Sequence, residues 1–222
     1  MTTTRVLSFD VGIKNLSFAD VSFSAHPPTI EESDVVNEEN KDGLDRRVRV
    51  MGWDVVDFMD NARSTGIDHL STLLLECLRD RFCDNDVTYD HVIIENQPVA
   101  MNPTMKTIQI ILYTYFQTVK MLFGCVKSVS LVSATLKLRS ISDTAKNENG
   151  TMMAHKPTYA ERKKLAVKLC RDFLGSSRFV QDNISVERFE KCKKKDDLAD
   201  SLLQALAFHD KVLIKKTKTR RT

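Results

Sequence analysis

Residues 6–15 read VLSFDVGIKN: an apolar run that reaches a carboxylate, Asp10, and turns two residues later at Gly12. A short β-prone run bounded by a turn signal describes a strand, so Arg5–Val11 reads as a buried strand that ends on an acid. Burial strips a carboxylate of hydration, and hydrogen bonds, a cation or a raised pKa must offset that cost. Which of the three applies decides what the strand is for.

Outward from this run, Leu16–Phe23 alternates Leu16, Phe18, Val21 and Phe23 as a hairpin partner, and Val48–Phe58 reads as a third strand. Leu70, Leu73, Leu74, Cys77 and Leu78 give Ile67–Phe82 a helical period. HVIIENQP, residues 91–98, is a second apolar strand ending in a carboxylate, Glu95. Thr104–Phe123 is a long helix with a broad apolar face, and Val126–Val132 a fifth strand. Tyr159–Leu174 returns to helix, with Arg162, Lys163 and Lys164 in its early turns. DDLADSLLQALAFH, residues 196–209, reads as an amphipathic helix with Asp196 or Asp197 at its N-terminus, preceded by Lys193, Lys194 and Lys195. This order predicts an α/β fold with an antiparallel start and a parallel continuation.

A chain of 222 residues suits one domain, here 1–214, with loop insertions at 26–43 and 140–157 and a basic, unpatterned tail at 215–222. Hydrophobic residues at 42% and charged residues at 28% fit a folded soluble protein. No apolar stretch is long enough to span a membrane, and the N-terminus lacks a signal-peptide core, so the expected location is intracellular. The five cysteines are odd in number and form no C-x-x-C pair, which favours buried reduced thiols over disulfides or zinc. From Lys137 onward 21 Lys and Arg face 11 Asp and Glu, a balance of +10 that leaves −7 on residues 1–136. The basic third points to a polyanion, although a solvated basic face explains charge alone equally well.

Active sites of α/β sheets gather at the carboxyl ends of strands, where Asp10 and Glu95 both fall. Asp197 and Asp200, three residues apart, share one side of their helix. Four carboxylates brought together repel one another unless a cation intervenes. Oxygen-only ligation without His suits Mg²⁺ or Mn²⁺, and two such ions can hydrolyse a phosphodiester. Gly12 would let backbone or phosphate approach closely. Singly, each acid has a plainer reading: Asp10 as a turn cap, Asp197 and Asp200 as first-turn complements to the helix dipole.

In that order, FDVGIKN, IIENQP and KKDDLADS resemble the three acidic motifs of the RuvC-like Holliday junction resolvases, nearest to those of poxviruses and other large DNA viruses. The resemblance runs from about Arg5 to His209. It implies an RNase H-like fold, a five-stranded mixed sheet with the first three strands antiparallel, flanked by helices. It also implies a homodimer that cuts branched DNA, above all four-way junctions, by paired symmetric nicks with two Mg²⁺ or Mn²⁺ per site. Asp10, Glu95, Asp197 and Asp200 would be the metal ligands and catalytic acids, with the choice between Asp196 and Asp197 left open. Lys163 and Lys164 would act at the scissile phosphate, and Lys14, Arg162, Lys193, Lys194 and Lys195 would join them in binding DNA. Thr104–Phe123, with Tyr113, Tyr115 and Phe116, corresponds to the helix that helps pair subunits. A viral origin would place the chain in host cytoplasm or nucleus.

Rival readings keep the acids and change the partner. A related nuclease could act on an RNA–DNA hybrid or a flap, since the same metal chemistry serves any phosphodiester. A DNA-binding scaffold gains nothing from clustered acids. An actin- or sugar-kinase-like nucleotide binder needs a second Gly-rich phosphate loop, and seven glycines with no second D-x-G do not supply one, so no nucleotide cofactor is expected.

Overall fold

Side chains alternate across a strand, so β1 (Thr3–Val11) sends Leu7, Phe9 and Val11 to one face of a sheet and Val6 to the other. The computed structural model describes residues 3–25, 46–58, 66–82, 87–98, 102–137 and 158–213. After Gly12 the chain returns antiparallel as β2 (Asn15–Ala25), pairing Asp10 with Ser17, and β3 (Arg46–Asp57) adds antiparallel to β2. Then follow α1 (Ile67–Phe82), β4 (Tyr89–Asn96), α2 (Pro103–Phe123), β5 (Val126–Ser133), α3 (Tyr159–Leu174), α4 (Asn183–Lys191) and α5 (Lys195–Phe208). β4 pairs parallel with β1 and β5 parallel with β4, giving the order β3-β2-β1-β4-β5. This is the expected mixed sheet.

Two apolar layers sandwich it. Leu7, Phe9, Val92 and Ile94 meet Leu74 of α1 and Leu112 and Phe116 of α2. Val6, Ala19, Trp53 and Ile93 meet Cys170 of α3, Phe189 of α4 and Leu198 and Leu202 of α5. Val6 and Asp10 on β1, and Ile93 and Glu95 on β4, share parity, so both strand-end acids belong to the α5 face. Phe9 lies opposite Ile94, which puts Asp10 and Glu95 side by side at the carboxyl end of the two central parallel strands.

Gly12 closes the β1–β2 turn. A Cβ there would lie 2.5 Å from the Asn15 carbonyl oxygen, so the close approach the sequence suggested is one of backbone within its own turn. Gly12→Ala should therefore shift the hairpin that carries Asp10 and cost about 1–3 kcal/mol, read as a lowered urea midpoint.

The structure departs from the sequence reading at three places. α4 carries little apolar pattern: Ile184 is 70% exposed while only Ser185 and Phe189 are buried, so it shows no periodic stripe. Its start is fixed by Asp182, whose carboxylate accepts from the Ile184 and Ser185 amides. α5 begins at Lys195 with Lys194 as N-cap and no side-chain cap bond, so Asp196 and Asp197 sit inside the first turn. α5 is also buried almost all round from Leu198 to Phe208, not amphipathic, because the sheet, α3 and α4 enclose it. The insertions at 26–43 and 140–157 and the tail at 215–222 lie outside the described residues. Among the described residues Cys170 is buried, Cys77, Cys125 and Cys192 are half-buried, and all four are free thiols.

Candidate active site

Strand parity and the D-x-x-D spacing bring Asp10, Glu95 and Asp200 to one place, and a residue to which the sequence reading gave no role in the site joins them. Lys137 ends a short helical turn four residues after β5. Its Nζ donates to Asp10 Oδ1 at 3.1 Å, Glu95 Oε2 at 3.2 Å and Asp200 Oδ2 at 2.7 Å. The rule that picked out Asp10 and Glu95, that strand ends carry the site, also reaches Lys137 once β5 is known to lie beside β4.

The electrostatics follow from burial and crowding. Burial opposes ionisation of Asp10, yet the Lys137 ammonium and hydrogen bonds from Glu95 and Lys137 hold its pKa below the ordinary value. Glu95 is pushed up, to about 9, by burial and by Asp10, with Lys137 pulling the other way. Burial and Asp10 also raise Asp200 against the pull of Lys137. Burial, Asp196 and Asp10 lift Asp197 to about 6. Lys137 is raised despite its burial because Asp10, Glu95 and Asp200 all favour its charged form.

Asp196 turns away from this cluster to a short contact with Lys163, which keeps Asp196 below its ordinary pKa against burial. Lys163 also lies 5.0 Å from the centroid of the Tyr159 ring. Lys164, Lys193 and Lys194 are exposed, while Arg162 is half-buried. Lys14 pairs with Asp57 at 3.4 Å, and Lys195 Nζ donates to the carbonyls of Glu190 at 2.6 Å and Cys192 at 3.2 Å. Of the sequence-nominated cations, Lys164, Lys193 and Lys194 are thus exposed, Lys14, Lys163 and Lys195 are engaged within the fold, and Arg162 is half-buried.

Side chains from all three antiparallel strands set the height of α5 over the sheet. Ser17 Oγ donates to the Asp197 carbonyl at 2.8 Å, and Trp53 Nε1 to the Leu198 carbonyl at 2.9 Å. Gln204 Nε2 donates to Ser8 Oγ at 3.0 Å and to the Phe9 carbonyl at 3.1 Å. Gln204 therefore ties α5 to β1 one turn beyond Asp200 and one residue before Asp10. Just past β4 the Gln97 backbone N–H donates to Gln109 Oε1 at 2.7 Å, anchoring the end of the strand that carries Glu95 to α2.

A carboxyl whose pKa is higher folded than unfolded stabilises the fold at low pH, and that stability is lost as pH rises through the folded value. Glu95 and Asp197 both have this sign. In chelator, thermal stability should fall as pH rises from about 5 to about 9, with the Asp197 share lost near 6 and the Glu95 share later. Differential scanning calorimetry across that range checks it, and Glu95→Gln should flatten the upper part.

The order β3-β2-β1-β4-β5, with helices on both faces, is a fold shared with two solved Holliday junction resolvases. The yeast mitochondrial Holliday junction resolvase Ydc2 is similar with a TM-score of 0.58 and 17% identity, over 98% of this chain and 84% of that one. The Fowlpox virus resolvase, solved with substrate Holliday junction DNA, is similar with a TM-score of 0.53 and 18% identity, over 95% of this chain and 99% of that one. No protein-family model and no curated protein sequence matches the chain. Among the described residues no helix is long and apolar enough to cross a membrane.

Proposed function

We propose that the chain is a divalent-metal-dependent, structure-selective endonuclease that resolves four-way DNA junctions by paired symmetric nicks. The observation that supports this most is the convergence of Asp10, Glu95 and Asp200 on a single cationic point at the carboxyl ends of β1 and β4, on a fold shared with junction resolvases.

The donor chemistry suits the implied ions. The donors are all carboxylate oxygens with no His or Cys, the set preferred by Mg²⁺ and Mn²⁺, and their need for positive charge is visible in the ammonium drawn among them. Asp10, Glu95 and Asp200 would hold the ions, with Asp197 as the fourth ligand, a reading supported by the contact of Asp196 with Lys163. Bound there, two Mg²⁺ or Mn²⁺ would supply an activated water and neutralise charge on the leaving oxygen. Asp10, on the central strand, fixes the site against the rigid sheet, while α5 sets the spacing of Asp197 and Asp200.

DNA is held from the α3–α5 side. Lys164, and Lys163 once it leaves Asp196, orient the scissile phosphate, and Arg162, Lys193 and Lys194 meet flanking phosphates, so affinity falls steeply with salt. Lys14 and Lys195 can join only by leaving Asp57 and the end of α4. Two sites at fixed separation select the branched shape, which calls for a homodimer. Phe116 is fully buried, and Tyr113 and Tyr115 pack against the core. The apolar side chains that α2 leaves exposed and available for pairing are Ile110, Met121, Leu122 and Phe123.

A substrate panel tests the reading: an end-labelled four-way junction beside plain duplex, flap and RNA–DNA hybrid, each with Mg²⁺ or with EDTA. Metal-dependent cutting of the junction above the others is expected. Cutting of the hybrid or flap alone would keep the nuclease and replace its substrate.

A further inference from the structure

Lys137 stands where the carboxylates converge, with its side chain 11% exposed and its ammonium shared among Asp10, Glu95 and Asp200. We propose that Lys137 is the built-in counter-cation of the metal-free site, holding the acids together until a divalent ion displaces it. The proposal rests on the metal-dependent reading above and adds to it a competition between two cations for one set of oxygens.

Carboxylates crowded away from water repel each other, and a single ammonium touching three of them relieves that repulsion from within the chain. The contacts, 2.7–3.2 Å, are N–H···O hydrogen bonds directed at the lone pairs a metal would take. Magnesium draws its oxygens in to about 2.0–2.1 Å, so the ammonium and the ion cannot occupy the centre together. The acids are correspondingly arranged around a lysine: among the described residues no group of three or more Asp, Glu, His and Cys is set to hold a metal as it stands. Lys163 does not share this place, because its ammonium is turned to Asp196. A monovalent ion brings no more charge than the lysine it would replace, so the arrangement favours divalent ions over Na⁺ and K⁺.

Lys137→Met keeps the length of the side chain and removes its charge. Titration calorimetry with Mn²⁺ alone, without DNA, should show binding tightened about tenfold or more, since no ammonium need be expelled. In EDTA the variant should unfold at lower temperature than wild type, and Mn²⁺ should raise its midpoint by a larger increment. On the wild-type protein, reductive methylation of lysines read by mass spectrometry should spare Lys137 in EDTA and modify it when Mn²⁺ is present.

Mn²⁺ affinity unchanged or weaker in Lys137→Met would overturn the counter-cation and leave the metal site standing. Failure of Mn²⁺ to bind either protein would overturn both. Equal methylation of Lys137 with and without Mn²⁺ would overturn the displacement even if the variant does not fold.

Discussion

Asp10→Asn is expected to lower junction cleavage on the order of a thousandfold while leaving junction affinity unchanged or tighter. Asparagine keeps the shape and one carbonyl oxygen of the native side chain but not its charge. The Asp10 carboxylate lies on the central strand, 3.1 Å from the cation that marks the middle of the cluster, and its pKa is held below the ordinary value while those of Glu95 and Asp200 are raised. On the proposed reading, losing it would remove a metal ligand and a negative charge facing DNA phosphates. Cleavage of a labelled junction and its binding at fixed salt, measured on the same preparation, check both halves. Wild-type cleavage by the variant would take Asp10 out of the site.

The second large effect concerns how the site is carried. Trp53 is 2% exposed, stacks on Phe189 of α4 with ring centroids 5.4 Å apart and planes 7° from parallel, and donates to the Leu198 carbonyl at 2.9 Å. Trp53→Ala empties that space and should cost about 3–5 kcal/mol. Against a total stability of roughly 5–15 kcal/mol, much of the fold's margin goes with it. Trp53→Phe keeps a ring and loses the hydrogen bond, about 1 kcal/mol, so it should fold while α5 sits less firmly over β1. Urea midpoints for the two variants should therefore be well separated, with Trp53→Phe losing more cleavage than its small stability loss explains. Equal midpoints for Trp53→Ala and wild type would contradict the packing account.

Much of the sheet was legible because its strands announce themselves by period. VLSFD and HVIIE are apolar runs of strand length that end in acids, while the common facing of Asp10 and Glu95 follows from the β1–β4 register that sets Phe9 opposite Ile94. D-x-x-D in α5 was legible through helical spacing, and the structure brings its second acid, Asp200, to the same cation as Asp10 and Glu95. Lys137 was not, since a lone lysine after β5 carries no pattern and becomes significant only when strand order places β5 beside β4. The bonds from Ser17, Trp53 and Gln204 to backbone carbonyls were also hidden, because their partners exist only after α5 has docked. α4 escaped because a nine-residue helix with two buried side chains shows no apolar stripe. The different surroundings of Asp196 and Asp197 were invisible for a similar reason: adjacent residues diverge on a helix, and only α3 packing nearby shows that Asp196 meets Lys163.

The central claim is that strand-delivered acids hold divalent ions and cut branched DNA. The most direct test labels each of the four strands of a fixed junction at its 5′ end and maps the products of the wild-type protein with Mg²⁺ or with EDTA. Metal-dependent nicks at symmetric positions on one opposed pair of strands, resealable by ligase, are the predicted result. No cutting of the junction with Mg²⁺ or Mn²⁺, or cutting of plain duplex at the same rate, would contradict it.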